Sequence, residues 1–108
     1  MSRLLAALWC AALPTLVGAP ALAAGEAGQV KSRPCAVCHG PQGLSVLPTA
    51  PNLAGQPEDY LAQQLRAYRS GRRSHEIMSL IAKPLSDDDI ADLAAYFASF
   101  RIEIKAAP

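Results

Sequence analysis

The amino-acid sequence predicts a small all-α protein folded around an insert. Apolar residues recur at intervals of three and four along two segments, and no segment alternates apolar and polar residues as a half-buried strand would. The chain has 108 residues, which allows at most one domain, and without a leader of 23 residues it would be near the lower size limit for an unaided core. Chains this small often depend on a disulfide, a metal or another covalent insert. The segment CAVCHG, residues 35–40, is where such an insert can attach.

Residues 1–23 have the three parts of a secretory signal peptide. Arg3 precedes an apolar run, and the run closes on the small residues Ala21 and Ala23, which fit a cleavage site. We expect cleavage after Ala23, a periplasmic location and no membrane anchor after processing. The alternative is an uncleaved anchor, because residues 4–24 carry no charge and are long enough to cross a bilayer.

The mature domain, residues 24–108, begins with a weak helix. We predict this helix from Glu26 to about Ser32, because Pro34 restricts the residue before it and stops the helix. Residues 40–55 contain three prolines and three glycines. They predict an irregular loop, and a loop of this length in a compact domain often has a function.

The second predicted helix has a clear beginning and end. Pro57 suits the first helical position, and Glu58 and Asp59 place negative charge at the positive end of the helix dipole. Gly71 is expected to end the helix in a left-handed conformation. Its apolar stripe consists of Leu61, Leu65 and Tyr68.

The last helix gives the strongest pattern, after a short segment at residues 74–82 that predicts another turn or two. Ser86 is the expected N-cap, with Asp89 as its capping-box partner, and the helix is predicted to end near Ser99. Residues 101–108 are expected to be a flexible tail. The apolar stripe consists of Ile90, Leu93, Ala94 and Phe97.

Three chemistries compete for the motif formed by Cys35, Cys38 and His39. A thioredoxin-like pair belongs at a strand-to-helix junction, and the sequence predicts no strands. A structural zinc ion needs four ligands, and only His75 remains to supply the fourth. Covalent haem attachment explains the spacing, because two thiols one helical turn apart can add to the two vinyl groups of one porphyrin edge. The histidine that follows then reaches the iron.

The iron of such a haem has a second axial position. Met78 is the predicted ligand, since it is the one methionine outside the leader and since His/Met ligation suits electron transfer. The alternative role for Met78 is core filler between Ile77 and Leu80. His75 is the rival ligand, but its polar neighbours favour a surface position.

Five segments together resemble a class I c-type cytochrome of the small bacterial kind, whose domains also occur in tandem in dihaem proteins. The resemblance covers nearly all of residues 25–100 and implies three main helices and a short one around one covalent haem c held by Cys35 and Cys38. The segments are CAVCHG, PNLAGQ (51–56), YLAQQLRAYRSG (60–71), Met78 and LSDDDIADLAAYF (85–97).

The resemblance also implies roles for single residues. The carbonyl of Pro51 is expected to accept a hydrogen bond from the imidazole of His39, in line with the rule that the second ring nitrogen of a ligating histidine is held by an acceptor. Leu53 and Tyr68 are expected to line the haem pocket, although both residues also fit a plain core.

In one respect the sequence departs from this family. Tyr96 or Phe97 is expected to pack the last helix across the first, but residues 29–31 lack the aromatic residue that often precedes the first cysteine. We therefore expect a looser helix crossing.

The expected function is an exported electron carrier that passes single electrons between redox protein partners, and not an enzyme. With ten basic and nine acidic residues and no basic stripe with interleaved aromatics, nucleic acid is not an expected partner. The alternatives are a cytochrome subunit of a periplasmic dehydrogenase or oxidase, and a haem sensor with an open iron site. A local cluster of arginines can be a docking patch, a partner for the haem propionates or a solvated helix face: Arg66, Arg69, Arg72 and Arg73.

Overall fold

The structure is a computed structural model that describes residues 23–108. This part of the chain contains helices joined by loops, and no strand. The predicted signal peptide lies outside the described residues, apart from Ala23. We number the helices α1 (Ala24–Lys31), α2 (Ala36–His39), α3 (Glu58–Ser70), α4 (Met78–Ala82) and α5 (Asp87–Ala98), and a 3₁₀ turn, Arg33–Cys35, precedes α2.

The ends of α3 and α5 follow from the residues that flank them. Pro57 is the N-cap of α3 and not its first helical residue, a shift of one position from the prediction. The prediction for Gly71 is confirmed, since it ends α3 in the left-handed region at φ 80°. The predicted capping box of α5 is also confirmed: Asp89 N–H donates to Ser86 Oγ, and Ser86 N–H donates to Asp89 Oδ2, both at 3.0 Å.

The hydrophobic core lies between α3 and α5 and is small. Of the large side chains in the described residues, Ile90 is the one that is fully buried. A core of this size gives little hydrophobic stabilisation, which agrees with the expectation that the chain folds around an insert. The buried cluster consists of Leu61, Ala62, Ile90, Leu93, Ala94, Tyr96 and Phe97.

The first and last helices cross closely at Gly28. A Cβ atom on Gly28 would lie 2.3 Å from the carbonyl oxygen of Asp92 and 2.5 Å from Cβ of Tyr96. The expectation of a loose crossing is therefore wrong, because a residue without a side chain brings the two backbones together where the aromatic residue is missing. Lys31 Nζ then reaches Asp89 Oδ1 at 2.9 Å and Asp92 Oδ2 at 2.5 Å.

After α5 the chain continues without regular secondary structure, and residues 101–108 are exposed. Its first part lies against the loop before α3, since a Cβ atom on Gly55 would lie 2.6 Å from Cγ1 of Ile102 and 3.2 Å from the carbonyl oxygen of Phe100. The same loop is also joined to α5 itself, because Gly55 N–H donates to Phe97 O at 2.9 Å. The flexibility of this tail stays a prediction. Within residues 23–108, no helix combines the length and the apolar character that crossing a membrane requires.

Candidate functional site

An open cavity of about 820 Å³ separates α2 and its following loop from α3, α4 and α5. Its volume is within the range of ligand pockets, about 300–1,000 Å³. Every residue that the sequence assigned to the site lines this cavity: Cys35, Cys38, His39, Pro51, Leu53, Tyr68 and Met78.

The two cysteines lie on consecutive helical turns at one wall of the cavity. Cys35 ends the 3₁₀ turn and Cys38 lies in α2, and the two sulfur atoms are not joined in a disulfide. Burial raises the pKa of the Cys35 thiol, whereas redox-active thiols in such motifs have a lowered pKa. Within residues 23–108, no three His, Cys, Asp or Glu side chains are placed to hold a metal ion together. Two unpaired thiols one turn apart on a cavity wall can each attach to one ligand in the cavity.

His39 is held in one orientation by the loop that follows it. The side chain is 7 % exposed, and Nδ1 lies 2.8 Å from the carbonyl oxygen of Pro51. Because a carbonyl can only accept, Nδ1 carries the hydrogen, and Nε2 keeps the lone pair that binds a metal. The tight turn needs glycine at position 40, where φ is 77° and a Cβ atom would lie 1.8 Å from the carbonyl oxygen of Leu44.

Met78 is the first residue of α4 and is half-buried in the wall of the cavity. His75, the rival ligand, is exposed and also lines the cavity. Its Nδ1 accepts hydrogen bonds from the backbone N–H groups of Ile77 and Met78, at 3.2 and 3.3 Å. Ser79 Oγ accepts from the N–H of His75 at 3.0 Å. His75 therefore caps the helix that carries Met78.

Large apolar side chains stand open to solvent around the cavity. Val37 is 75 % exposed and Leu80 is 71 % exposed. An exposed apolar surface of this kind marks a binding site. Thiols, an oriented imidazole, a thioether sulfur and apolar walls together fit a covalently attached haem. The other large aliphatic residues that are exposed and line the cavity are Leu47, Ile77 and Ile81.

One polar side of the cavity was missed by the sequence analysis. Gln56, Tyr60 and Gln64 line the cavity beside the apolar row of Leu61 and Leu65. The signal was the spacing of four residues between Tyr60 and Gln64, which places both on one stripe of α3, whereas Gln56 lies in the loop before the helix. The apolar stripe of the helix does not by itself reveal this row.

The arginine cluster divides into residues with different surroundings. Arg69 joins α3 to the start of α5, since its Nη1 donates to Leu85 O at 2.9 Å and its Nη2 forms a salt bridge of 2.6 Å with Asp87. Arg73 lines the cavity. Arg66 and Arg72 are exposed and are not among its lining residues.

The family model described as cytochrome c matches residues 26–101. The chain is 44% identical over 82 residues to cytochrome c4 of Thiocapsa roseopersicina, covering 75% of this chain and 42% of that protein. It is 45% identical over 76 residues to cytochrome c-554(548) of Halomonas halodenitrificans, covering 68% of this chain and 92% of that protein. The chain thus spans less than half the length of the cytochrome c4 relative.

Two further similarities bear on the site. The crystal structure of reduced cytochrome c4 from Pseudomonas stutzeri superposes with a TM-score of 0.67 at 42% identity, covering 71% of this chain and 45% of that chain. A protein of Stutzerimonas stutzeri named thiosulfate dehydrogenase electron acceptor is 44% identical over 68 residues, covering 60% of this chain and 32% of that protein. The helical fold around the cavity is therefore shared with solved c-type cytochromes.

Proposed function

The chain belongs to the cytochrome c family, and on that premise we propose that it carries single electrons on one covalent haem c. The proposal rests on one observation: His39, Met78 and the two cysteines of the motif line the same cavity. When bound, the haem supplies an iron that alternates between the ferric and ferrous states and so stores one electron.

Cys35 and Cys38 attach the group. Each S–H would add across one vinyl double bond, forming a carbon–sulfur bond at one carbon and placing the hydrogen on the neighbouring carbon, with no external oxidant or reductant. The helical turn between the two residues sets the separation of the two sulfur atoms. A covalent link keeps the cofactor in place although the cavity is open on one side.

His39 and Met78 are the proposed axial ligands. The hydrogen bond to Pro51 O fixes the tautomer and the ring orientation of His39 and makes Nε2 a stronger donor to the iron. The soft sulfur of Met78 favours the ferrous state and raises the reduction potential. Two protein ligands at the iron would suit electron transfer, because binding of small gases or peroxide would need one of them to leave.

The ligand assignment is tested by absorption spectra of the oxidised protein and of two variants. Met78→Ala removes the sulfur and should abolish the charge-transfer band of the ferric iron–sulfur bond. Lys83→Ala, which shortens an exposed side chain at the C-cap of the same helix and outside the cavity lining, should keep the band. If the band survives in Met78→Ala, or is absent from the parent, Met78 is not the ligand. Rapid and complete binding of carbon monoxide by the reduced parent would favour the open-site alternative.

The proposed location is the periplasm, after removal of residues 1–23. The leader pattern of that segment supports export. Sequencing the amino terminus of the purified protein should find Ala24 as the first residue. An intact amino terminus in the membrane fraction would instead identify residues 4–24 as an anchor.

A second candidate function is the electron-accepting subunit of a dehydrogenase complex. The similarity to the protein named thiosulfate dehydrogenase electron acceptor favours it. Purification from the native host under mild conditions separates the two candidates. A second subunit that binds flavin, molybdenum or haem and co-elutes with the cytochrome would support a complex, whereas elution as a monomer would support a free carrier.

A further inference from the structure

We propose that the guanidinium of Arg73 binds a carboxylate side chain of the haem at the mouth of the cavity. The inference rests on the proposed function, because it assumes that the cavity holds haem c. It assigns to one residue a role that the sequence left open among four arginines.

The chain holds Arg73 in place through three contacts, all of them with α3. Its backbone N–H donates to Ala67 O at 3.0 Å, and its Nη1 donates to Gln64 Oε1 at 2.6 Å. The guanidinium carbon lies 4.6 Å from the centre of the Tyr68 ring, within the distance of a cation–π interaction. An arginine side chain has several rotatable bonds, so at a protein surface it is ordered only where such contacts restrain it.

The positive charge of Arg73 has no protein carboxylate to balance it in the part of the chain that the structure describes. The salt bridges found there join Lys31 to Asp89 and Asp92, and Arg69 to Asp87. A guanidinium has five N–H donors, and the hydrogen bond to Gln64 uses one of them. The remaining donors can bind a planar carboxylate with two parallel hydrogen bonds.

The position of Arg73 indicates which kind of ligand its guanidinium can bind. The side chain is exposed and also lines the cavity, together with Gln64 and Tyr68, so it stands at the mouth. The cavity wall formed by α3 is apolar at Leu61 and Leu65. A ligand that suits this arrangement has a wide apolar face and an anionic group at its edge, and a haem carries two carboxylates at one edge of the ring.

Arg72 offers a matched control. It is exposed, it does not line the cavity, and its one hydrogen bond joins its Nε to Ser70 Oγ at 3.4 Å. Arg72→Gln and Arg73→Gln remove the same charge from adjacent positions. Arg73→Lys keeps the charge and loses the paired hydrogen bonds.

The experiment measures the reduction potential of the full-length mature holoprotein and these three variants between mildly acidic and mildly alkaline pH. Arg73→Gln should lower the potential more than Arg72→Gln, because a cation beside the haem disfavours the ferric state. It should also make the potential depend on pH, because loss of the cation raises the pKa of the carboxyl group toward the measured range. Arg73→Lys should fall between the parent and Arg73→Gln.

Nuclear magnetic resonance of the reduced parent adds a readout that needs no variant. Overhauser contacts between the guanidinium protons of Arg73 and the methylene protons of a haem propionate are expected. Their absence would overturn the proposal even if a variant yielded no holoprotein.

Two further outcomes would also overturn it: equal potentials in the two glutamine variants at every pH, and an effect of Arg73→Gln confined to the salt dependence of electron transfer to a protein partner. The latter would identify a docking residue. A parent protein without covalent haem would refute the proposed function itself, whereas a haem-bearing parent with unaffected variants would refute the role of Arg73 alone.

Discussion

At the scale of single residues, hydrogen bonds to backbone groups decide which side chains can serve the site. His39 is fixed by the carbonyl of Pro51, which leaves the lone pair of Nε2 available. The Nδ1 atom of His75 is instead occupied by the N–H groups that begin α4. His39 and His75 therefore have different surroundings, and the difference comes from local backbone geometry.

Replacing His75 tests its role as a cap. His75→Ala should weaken the first turn of α4 and lower the free energy of unfolding by about 1 kcal/mol, the usual effect of losing a helix cap. The sulfur of Met78, as the proposed axial ligand, should then be displaced by added imidazole at a lower concentration than in the parent. His75→Asn, which can still accept these hydrogen bonds, should restore most of both properties. Equal behaviour of the alanine variant and the parent would contradict the capping role.

Asp89 predicts a specific dependence of stability on pH. Hydrogen bonds from the Ser86 backbone, then from Lys31 and the Ser86 hydroxyl, lower its pKa from 3.8 to about 2. A lowered pKa in the folded state gives stability that is present above pH 3.8 and is lost as the pH falls toward 2. Denaturant titrations across this window should show a decline that is smaller in Asp89→Asn. Asp88→Asn is the control, and an equal change in both variants would refute the assignment.

At the scale of helices, one glycine sets how closely α1 and α5 approach. Gly28→Ala would place a methyl group 2.3 Å from a backbone oxygen of α5, and backbone cannot move aside as a flexible side chain can. We expect the free energy of unfolding to fall by about 1–3 kcal/mol, as in other overpacked cores.

Gly25→Ala is the matched control for this crossing, because nothing lies within 4 Å of its added Cβ atom. It should leave stability unchanged or raise it by up to about 1 kcal/mol through the better helix propensity of alanine. Thermal or denaturant unfolding of the two variants measures the difference. Similar unfolding midpoints would mean that the helices are not in close contact at Gly28.

The helices also separate what the sequence can predict from what it cannot. The ends of α3 and α5 were predicted to within one residue because Gly71 and the Ser86–Asp89 pair act on their own neighbours in the chain. The short helix α2 was not assigned, because four residues do not form a stable helix alone and depend on tertiary contacts.

Local sequence patterns likewise could not predict the crossing at Gly28 or the position of Arg73 in the cavity wall. Gly28 is one glycine in a weak helix pattern, and its role depends on Asp92, which is far away in sequence. Arg73 looked equivalent to three other arginines until α3, α4 and α5 were placed around the cavity. The CAVCHG motif predicted its part of the site because most of the chemistry lies within residues 35–39.

At the scale of the whole molecule, the cavity is large and the buried core is small. Side chains such as Val37 and Leu80 stand in contact with solvent unless a ligand covers them. Covering apolar surface stabilises the folded chain in proportion to the area removed from water, and a ligand that binds the folded state alone shifts the folding equilibrium toward it. The haem is therefore expected to be part of the core.

Removing the attachment points tests this dependence. The double variant Cys35→Ser, Cys38→Ser should lose covalent haem and show much less helix by far-ultraviolet circular dichroism than the parent. Its unfolding should also lose cooperativity, because the remaining core contains one fully buried large side chain among the described residues. A haem-free variant with the helix content and unfolding midpoint of the parent would refute this account of stability.

The mass of the intact parent protein tests the central claim most directly. The chain, purified from the periplasm of a host that matures c-type cytochromes, should have the mass of residues 24–108 plus one haem, and the added mass should persist after denaturation. Digestion should place that mass on the peptide that contains Cys35 and Cys38. A colourless protein with the mass of the unmodified polypeptide would contradict the account.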